Sequence, residues 1–224
     1  MTTDSDADRR ARLRAHYDAL GAGQDREAWY EDPALDDLCA HGRFEDARSV
    51  FELGVGTGRF AERLLSSHMP DEASYTGTDL SPVMVSLARS RLERFGPRCR
   101  IAESAGPIRI PLGDSAVDRV VAAFVLDLLT GEEIEAFLCE AKRVLAPGGM
   151  LCAASLDDGR GLAARLRSVG WRLVHLIAPL WVGGCRPVGL PERLGEDWSV
   201  LHYVQRNIRF VAVASVCAEP ALKP

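Results

Sequence analysis

The feature that most constrains the fold is a glycine-rich loop between a short apolar run and an amphipathic stretch. The run Ser49-Val-Phe-Glu-Leu is followed by Gly54, Gly56 and Gly58 and then by residues 59–67. Glycines let the backbone turn tightly and approach a ligand closely, and a following helix presents its N-H groups to negative charge. The pattern therefore predicts a strand, a tight turn, a helix and a ligand site at the turn.

The same alternation continues along the chain. Further strands are predicted at 74–78, 98–103, 118–126 and 150–155, separated by helices at 82–95 and 131–145, with Thr130 and Glu133 forming a capping box. The near-continuous apolar run in 118–126 is typical of a parallel strand that is covered on both faces. Two last strands, 198–205 and 210–217, are predicted to form a hairpin with its turn at 206–207. We expect an α/β, Rossmann-like, doubly wound sheet of seven mostly parallel strands with an antiparallel last strand.

The domain organisation follows from where this alternation begins and stops. Residues 1–48 are predicted to be an N-terminal helical cap, broken at Gly21-Ala-Gly23 and resuming as a helix at Asp32-Pro33. The core covers 49–156, and 157–197 is predicted to be an insertion or lid over the sheet edge. The hairpin at 198–218 completes one domain of residues 1–224.

Composition excludes several classes of function. A net charge of -5 lacks the basic face that a phosphate backbone requires, so we expect a small-molecule substrate and no nucleic acid. The first residues resemble no signal peptide, and no apolar run approaches the roughly 18 residues of a membrane helix. We therefore expect a cytoplasmic protein without stable membrane insertion. The six cysteines form no C-x-x-C pair, so no metal site is expected, and the oligomeric state is left open.

Three features bear on which cofactor the loop holds. Gly56-Thr-Gly58-Arg-Phe-Ala61 satisfies the dinucleotide pattern G-x-G-x-x-A, so a nicotinamide enzyme is one reading. Glu52, an acid in an otherwise apolar strand, suits the ammonium of an amino acid. Asp79 ends the second strand, where a carboxylate can accept hydrogen bonds from both ribose hydroxyls. A nicotinamide enzyme usually needs a second large segment of chain to hold its substrate, and here only the cap and the insertion are available. A cofactor smaller than a dinucleotide is therefore favoured.

Four segments together resemble the class I methyltransferases, particularly their broad small-molecule group. They read E-L-G-V-G-T-G-R-F, T-G-T-D-L-S-P-V-M, P-L-G-D-S-A-V-D and A-K-R-V-L-A-P-G-G. The resemblance implies S-adenosylmethionine as the cofactor. It further implies that Glu52, Gly54, Gly56 and Gly58 line the methionine part and Asp79 the ribose. The adenine would meet Leu80, Met84, Glu103 and Ser104, and the sulfonium would pass Phe124 and Val125. Tyr17 with Asp18 would close over the cofactor, with simple packing of the helix as the alternative.

The residues that meet the acceptor are less sharply defined. Asp127 directly follows the fourth predicted strand and is the candidate catalytic base, although an acid at such a position also commonly caps the next helix. Trp181, Arg186 and His175 are candidate substrate-binding residues in the predicted insertion. For His175, as for His202, a hydrogen-bonded core position is the alternative.

These observations predict methyl transfer from S-adenosylmethionine to a small, largely apolar acceptor whose reacting atom is O, N, C or S. Two alternatives stay open. One is an enzyme of the same fold that uses the bound cofactor for other chemistry, such as a cyclisation. The other is a non-catalytic binding or regulatory module.

Overall fold

A seven-stranded sheet runs through the described part of the chain, which in this computed structural model comprises residues 3–104, 107–157, 185–209 and 211–221. Its strands are β1 (Ser49–Leu53), β2 (Ser74–Asp79), β3 (Cys99–Glu103), β4 (Val117–Ala123), β5 (Leu145–Leu156), β6 (Trp198–Ile208) and β7 (Val211–Pro220). Their order across the sheet is β3-β2-β1-β4-β5-β7-β6. The first five strands pair in parallel, whereas β7 runs antiparallel to both β5 and β6. This confirms the predicted fold class.

Two strand ends differ from the prediction. β4 ends at Ala123 rather than at 126, because the chain turns out of the sheet into a 3-10 turn at Leu126–Leu128. The hairpin turn follows Ile208 rather than lying at 206–207, since Arg206 and Asn207 pair with Val213 and Ala212 inside the ladder. Polar residues within an edge strand gave the misleading turn signal.

The helices of the described residues lie on both faces of this sheet. They are α1 (Thr3–Leu20), α2 (Ala28–His41), α3 (Arg59–Ser67), α4 (Pro82–Leu92), α5 (Gly131–Val144) and α6 (Leu190–Leu194). A 3-10 segment, Gly21–Glu27, joins α1 to α2 at the predicted glycine break, and α2 begins at Ala28, so that Pro33 lies inside it. The predicted capping box of α5 is confirmed: the Thr130 hydroxyl accepts from the Glu133 N-H, and the Glu133 carboxylate accepts from the Thr130 N-H.

Two apolar layers hold the helices to the sheet. Alternate strand residues point to opposite faces, so Val50 and Val121 pack with α2, α3 and α4, while Phe51 and Val120 pack with α5 and α6. Each fully buried side chain of this size stabilises the fold by about 1.5 to 3 kcal/mol. The doubly wound arrangement places the carboxyl ends of the parallel strands at one open edge.

The predicted insertion at 157–197 is described only in part, since residues 158–184 lie outside the described ranges. The following residues, 185–197, form an extended segment, α6 and a 3-10 turn. Among the described helices, none has the length and apolar character needed to cross a bilayer. The division into cap, core, insertion and hairpin and the cytoplasmic location stay predictions.

Candidate active site

A cavity opens at the carboxyl ends of β1, β2 and β4, with α1 and the 3-10 segment Gly21–Glu27 above it. Ligands of doubly wound sheets lie at this edge. Of the twelve residues predicted to bind the cofactor, ten line the cavity: Tyr17, Glu52, Gly54, Gly56, Asp79, Leu80, Met84, Ser104, Phe124 and Val125. The other two, Gly58 and Glu103, do not.

The three loop glycines have different neighbours. All have positive φ, which L side chains rarely adopt. A Cβ on Gly54 would lie 2.6 Å from the Val125 side chain, and one on Gly58 would lie 3.1 Å from Ala88 of α4. A Cβ on Gly56 would meet no atom within 4 Å. Gly54 and Gly58 therefore allow close packing of the protein itself, whereas Gly56 leaves open space on the cavity side.

Asp79 connects the glycine loop to the second strand. Its carboxylate accepts the N-H of Gly56 at 2.8 Å and the N-H of Ser81 at 2.9 Å. Burial raises the pKa of Asp79, and the backbone donors oppose this effect. The carboxylate is thus held in one orientation by the backbone, and its remaining lone pairs are available at the cavity wall.

Glu52 lies almost completely buried in β1, with 1% exposure. The Tyr75 hydroxyl donates to it at 2.5 Å. Burial raises the pKa of Glu52 to about 8, and the nearby Asp79 charge acts in the same direction. An isolated buried carboxylate is costly, so this acid favours a cationic group beside it in the cavity.

Past Asp79, the cavity wall is made by Leu80, Met84 and Ser104. The Ser104 N-H donates to the Asp79 carbonyl at 2.8 Å, which ties the end of β3 to β2. The neighbouring Glu103 points elsewhere: it is exposed and forms an ion pair at 3.2 Å with Arg14 of α1. This corrects the expectation that Glu103 lines the adenine pocket, because its charge is paired with the cap.

Phe124 and Val125 leave β4 at the cavity. Phe124 has φ of 53°, a left-handed conformation that is uncommon for an aromatic residue, and its N-H donates to Ala154 in β5 at 2.8 Å. Its ring meets Tyr30 of α2 edge to face, with centroids 5.8 Å apart. Strained backbone of this kind clusters at ligand sites, and here it directs an aromatic side chain to the cavity wall.

Asp127 lies behind the cavity wall, not on it. It is 1% exposed in the 3-10 turn, and helix α5 is capped by Thr130 instead, so the helix-cap alternative for Asp127 does not apply. The Cys185 thiol lies close to both the Asp127 carboxylate and the Tyr17 hydroxyl: its interaction with Asp127 lowers the pKa of that carboxyl, and its interaction with Tyr17 raises the pKa of the phenol. Burial raises the pKa of Asp127 to about 7. Among the described residues, its Oδ1 has no hydrogen-bond partner.

Arg186 also differs from its expected place. Its backbone N-H donates to the Asp127 carbonyl at 2.9 Å, and its guanidinium donates to the Leu129 carbonyl. It satisfies the polar backbone of the turn after β4 and, within the described structure, does not line the cavity. The other two candidate acceptor residues, His175 and Trp181, lie outside the described residues.

Several ion pairs join the cap to the core around the cavity, and the sequence did not indicate them. Arg91 of α4 donates to Asp25 at 2.6 Å and to the Thr57 hydroxyl at 2.8 Å. Arg59 pairs with Glu31 at 2.7 Å and with Asp32. These contacts join the 3-10 segment and α2 to the glycine loop and the helix that follows it.

One face of α1 forms part of the cavity wall, at Arg9, Arg10, Leu13, Arg14 and Tyr17. Of these residues, only Tyr17 was predicted to meet the cofactor. The three arginines were not, because charged residues on a helix surface are usually solvated.

Comparison with known proteins agrees with this architecture. Residues 50–149 match the family described as a methyltransferase domain. A demethylmenaquinone methyltransferase of Tropheryma whipplei is 33% identical over 134 residues, which are 58% of this chain and 52% of that protein. A tRNA N(3)-methylcytidine methyltransferase of Drosophila melanogaster is 29% identical over 140 residues, 61% of this chain and 42% of that protein. The chain thus spans about half the length of these curated relatives.

Among solved structures, a complex of the Haloferax volcanii Trm112 methyltransferase activator with a methyltransferase matches 95% of this chain and 99% of that chain. The TM-score is 0.70 at 16% identity, so the likeness concerns the fold. The matched segment contains the glycine loop, Asp79 and β4, so the part of the chain that forms the strand-end wall of the cavity is similar to a methyltransferase domain. The matched segment and the methyltransferase relatives support a class I S-adenosylmethionine-dependent methyltransferase, as the four motifs predicted.

Proposed function

We propose that this protein transfers a methyl group from S-adenosylmethionine to a small, largely apolar acceptor. The observation that carries the proposal is the meeting of the glycine loop, Glu52, Asp79 and the end of β4 at one cavity under the cap. Apolar side chains of Leu13, Ile108, Leu128 and Leu129 contribute to the same wall. A cavity of this kind suits an apolar ligand that is oriented by a few polar groups.

The residues present fit the cofactor. Asp79, held by two backbone N-H groups, would accept from the ribose hydroxyls, and the buried Glu52 would meet the ammonium of the methionine part. Leu80 and Met84 would contact the adenine. When bound, S-adenosylmethionine supplies a methyl group that its positively charged sulfur already activates. The protein therefore needs mainly to align the acceptor and exclude water.

The cap is the part of the protein that would exclude water. Tyr17 lines the cavity from α1, and Asp18 of the same helix accepts from the Ser81 hydroxyl beside Asp79. With the ion pairs of Arg59 and Arg91, these contacts hold α1, α2 and the segment between them over the strand ends. A covered site strengthens electrostatic interactions inside it.

Asp127 is the proposed base, acting through other residues. Because it does not line the cavity, a proton from the acceptor would reach it by way of the Tyr17 hydroxyl and the Cys185 thiol. Each group passes on one proton as it receives one, so Tyr17 and Cys185 end unchanged and Asp127 ends protonated. With a pKa of about 7, the Asp127 carboxylate titrates near neutral pH, where a general base is most useful.

Turnover of the cofactor tests the activity. The purified chain is incubated with S-adenosylmethionine and a panel of small acceptors, including a demethylated naphthoquinol, with tRNA in a parallel reaction. Formation of S-adenosylhomocysteine with a methylated small molecule is expected. Methylation of tRNA alone would refute the small-molecule acceptor. A product formed with the cofactor unconsumed would favour cyclisation or related chemistry, and binding without turnover on any probe would favour a non-catalytic module.

The role of Asp127 is tested with the acceptor so found. We expect the single-turnover rate of the wild type to rise with pH through about 7, as the carboxylate ionises, and Asp127→Asn to abolish this rise. A general base contributes typically about 10²- to 10⁴-fold. Cys185→Ala should lower the rate with acceptor binding retained, and Cys185→Ser should restore part of it. A wild-type rate in Asp127→Asn would show that the acceptor needs no base.

A further inference from the structure

Three potential metal ligands meet outside the cavity, where α2 packs beside the terminal hairpin. Asp37 and His41 are four residues apart in α2 and so lie on one face of that helix, and His202 comes from β6. One ligand atom from each residue lies within 4.8 Å of the others. Asp37 is buried, His202 half-buried and His41 exposed. None of the three lines the cavity.

Both imidazoles have a nitrogen suited to ligation. His41 Nδ1 lies 3.0 Å from the Asp37 backbone carbonyl. With the proton on Nδ1, that bond orients the ring and leaves the Nε2 lone pair free, as in metal-binding histidines whose other nitrogen is hydrogen-bonded. His202 Nε2 is buried, and among the described residues it has no hydrogen-bond partner.

We propose that Asp37, His41 and His202 form a binding site for a divalent transition-metal ion of the zinc type. Two nitrogens and one carboxylate oxygen match the donors of zinc sites with three protein ligands and an open fourth position, whereas magnesium and calcium prefer oxygen alone.

The two rings are stacked in the metal-free protein, with centroids 3.6 Å apart and planes within 5° of parallel. Because the nitrogen lone pairs lie in the ring planes, they do not converge on one point in this arrangement. The three ligand atoms lie within 4.8 Å of one another. Rotation of the two rings about their side-chain bonds, which separates the stack, would bring the two nitrogens to the roughly 3.4 Å spacing of ligands on a tetrahedral zinc ion.

Arg206 of β6 is the cation that Asp37 pairs with in the metal-free protein. It donates to both carboxylate oxygens at 2.8 Å, and its side chain is 47% exposed. A bound ion would repel this guanidinium, which can turn into solvent at little cost. The ion and Arg206 thus compete for Asp37, and removing Arg206 should strengthen metal binding.

Such an ion would link α2 to a strand far away in the sequence. Helix α2 contributes Glu31 and Leu35 to the cavity wall, so the link would hold that wall against the hairpin. An ion that binds the folded chain and not the unfolded one raises the melting temperature. At a hundredfold excess over the dissociation constant, the rise is roughly 5 to 10 °C for a chain of this size.

The test uses the full chain, freed of metal with a chelator and carrying Cys139→Ser to remove an exposed thiol. Zn²⁺ is titrated by calorimetry, and Co²⁺ reports ligand geometry through its visible absorption. One ion per chain, a tetrahedral Co²⁺ spectrum and no comparable response to Mg²⁺ are expected. His41→Ala, a change at an exposed residue, should weaken Zn²⁺ binding by at least about tenfold, as should His202→Ala. Arg206→Gln should strengthen it several-fold.

S-adenosylhomocysteine affinity serves as the control for folding and should be unchanged in all three variants. Equal Zn²⁺ affinity in the wild type, His41→Ala and His202→Ala would place any bound ion elsewhere and overturn the proposal. No effect or weaker binding in Arg206→Gln would refute the competition for Asp37, and with it the carboxylate as a ligand.

Discussion

Removal of the Asp79 carboxylate is the perturbation that most directly tests the candidate cofactor site. In the structure this group accepts two backbone N-H groups, from Gly56 in the glycine loop and from Ser81 at the start of α4. Asp79→Ala removes both acceptors and also the oxygens proposed to hold the ribose. The variant should therefore lose cofactor affinity and some stability, and the two effects need to be separated.

The expected loss of affinity follows from the number of bonds. Two charge-assisted hydrogen bonds to the ribose hydroxyls contribute together roughly 2 to 4 kcal/mol, which corresponds to about 30- to 1000-fold in the dissociation constant. Because burial raises the pKa of Asp79, the affinity should be measured over a series of pH values, and the difference between wild type and variant should grow as the pH rises and the carboxylate ionises.

Asp118 offers a matched control. It accepts the backbone N-H groups of Arg48 and Ser49 at 2.8 and 3.0 Å, but at the amino ends of β1 and β4, away from the cavity. Asp118→Ala thus removes a similar pair of hydrogen bonds without touching the site. Calorimetric titration of both variants with S-adenosylhomocysteine, alongside their thermal unfolding, separates binding from stability.

We expect both variants to melt earlier and only Asp79→Ala to bind weakly. Unchanged affinity in Asp79→Ala would refute its assignment to the ribose. Equal losses of affinity in the two variants would show that the effect comes from general destabilisation. Binding of NAD in place of S-adenosylhomocysteine by the wild type would refute the cofactor assignment as a whole.

Three further predictions concern stability and the cap. Glu52 keeps its proton up to about pH 8 when folded but loses it near 4.5 when unfolded, so the melting temperature of the ligand-free protein should fall as pH rises between these values. Glu52→Gln should reduce that fall, and an identical fall in both proteins would contradict the raised pKa. Arg91→Ala should speed hydrogen exchange in residues 21–27, because Arg91 donates to Asp25 there, whereas Arg94→Ala, at an exposed neighbouring position, should not. Binding of S-adenosylhomocysteine should slow exchange in the same residues. Equal exchange rates in all these samples would show that the cap is a static part of the core. Thr130→Ala should cost about 1 kcal/mol and lower the melting temperature by about 2 to 4 °C, unless the capping box contributes nothing.

The order of strands and helices and the place of the glycine loop were determined by the sequence itself. Such features are local: the period of apolar residues, the glycines after β1 and the Thr130 capping box act within a few residues of chain. Asp79 could be found in the same way, because its position after the second strand is a matter of spacing. The hairpin turn was misplaced because polar residues in an edge strand resemble a turn.

The tertiary structure decided which side chains share a space. Asp127 was predicted to follow β4 directly, but it lies in the 3-10 turn after the end of that strand, and its burial beside Tyr17 and Cys185 depends on how three distant segments pack. Glu103 was predicted to meet the cofactor and Arg186 the acceptor. In the structure Glu103 pairs with Arg14 of α1, and Arg186 donates to a backbone carbonyl of the turn after β4. The contact of α2 with His202 could not be predicted either. A sequence pattern reports on residues that are near one another along the chain, whereas charge pairing and burial depend on contacts between elements that are far apart in the sequence.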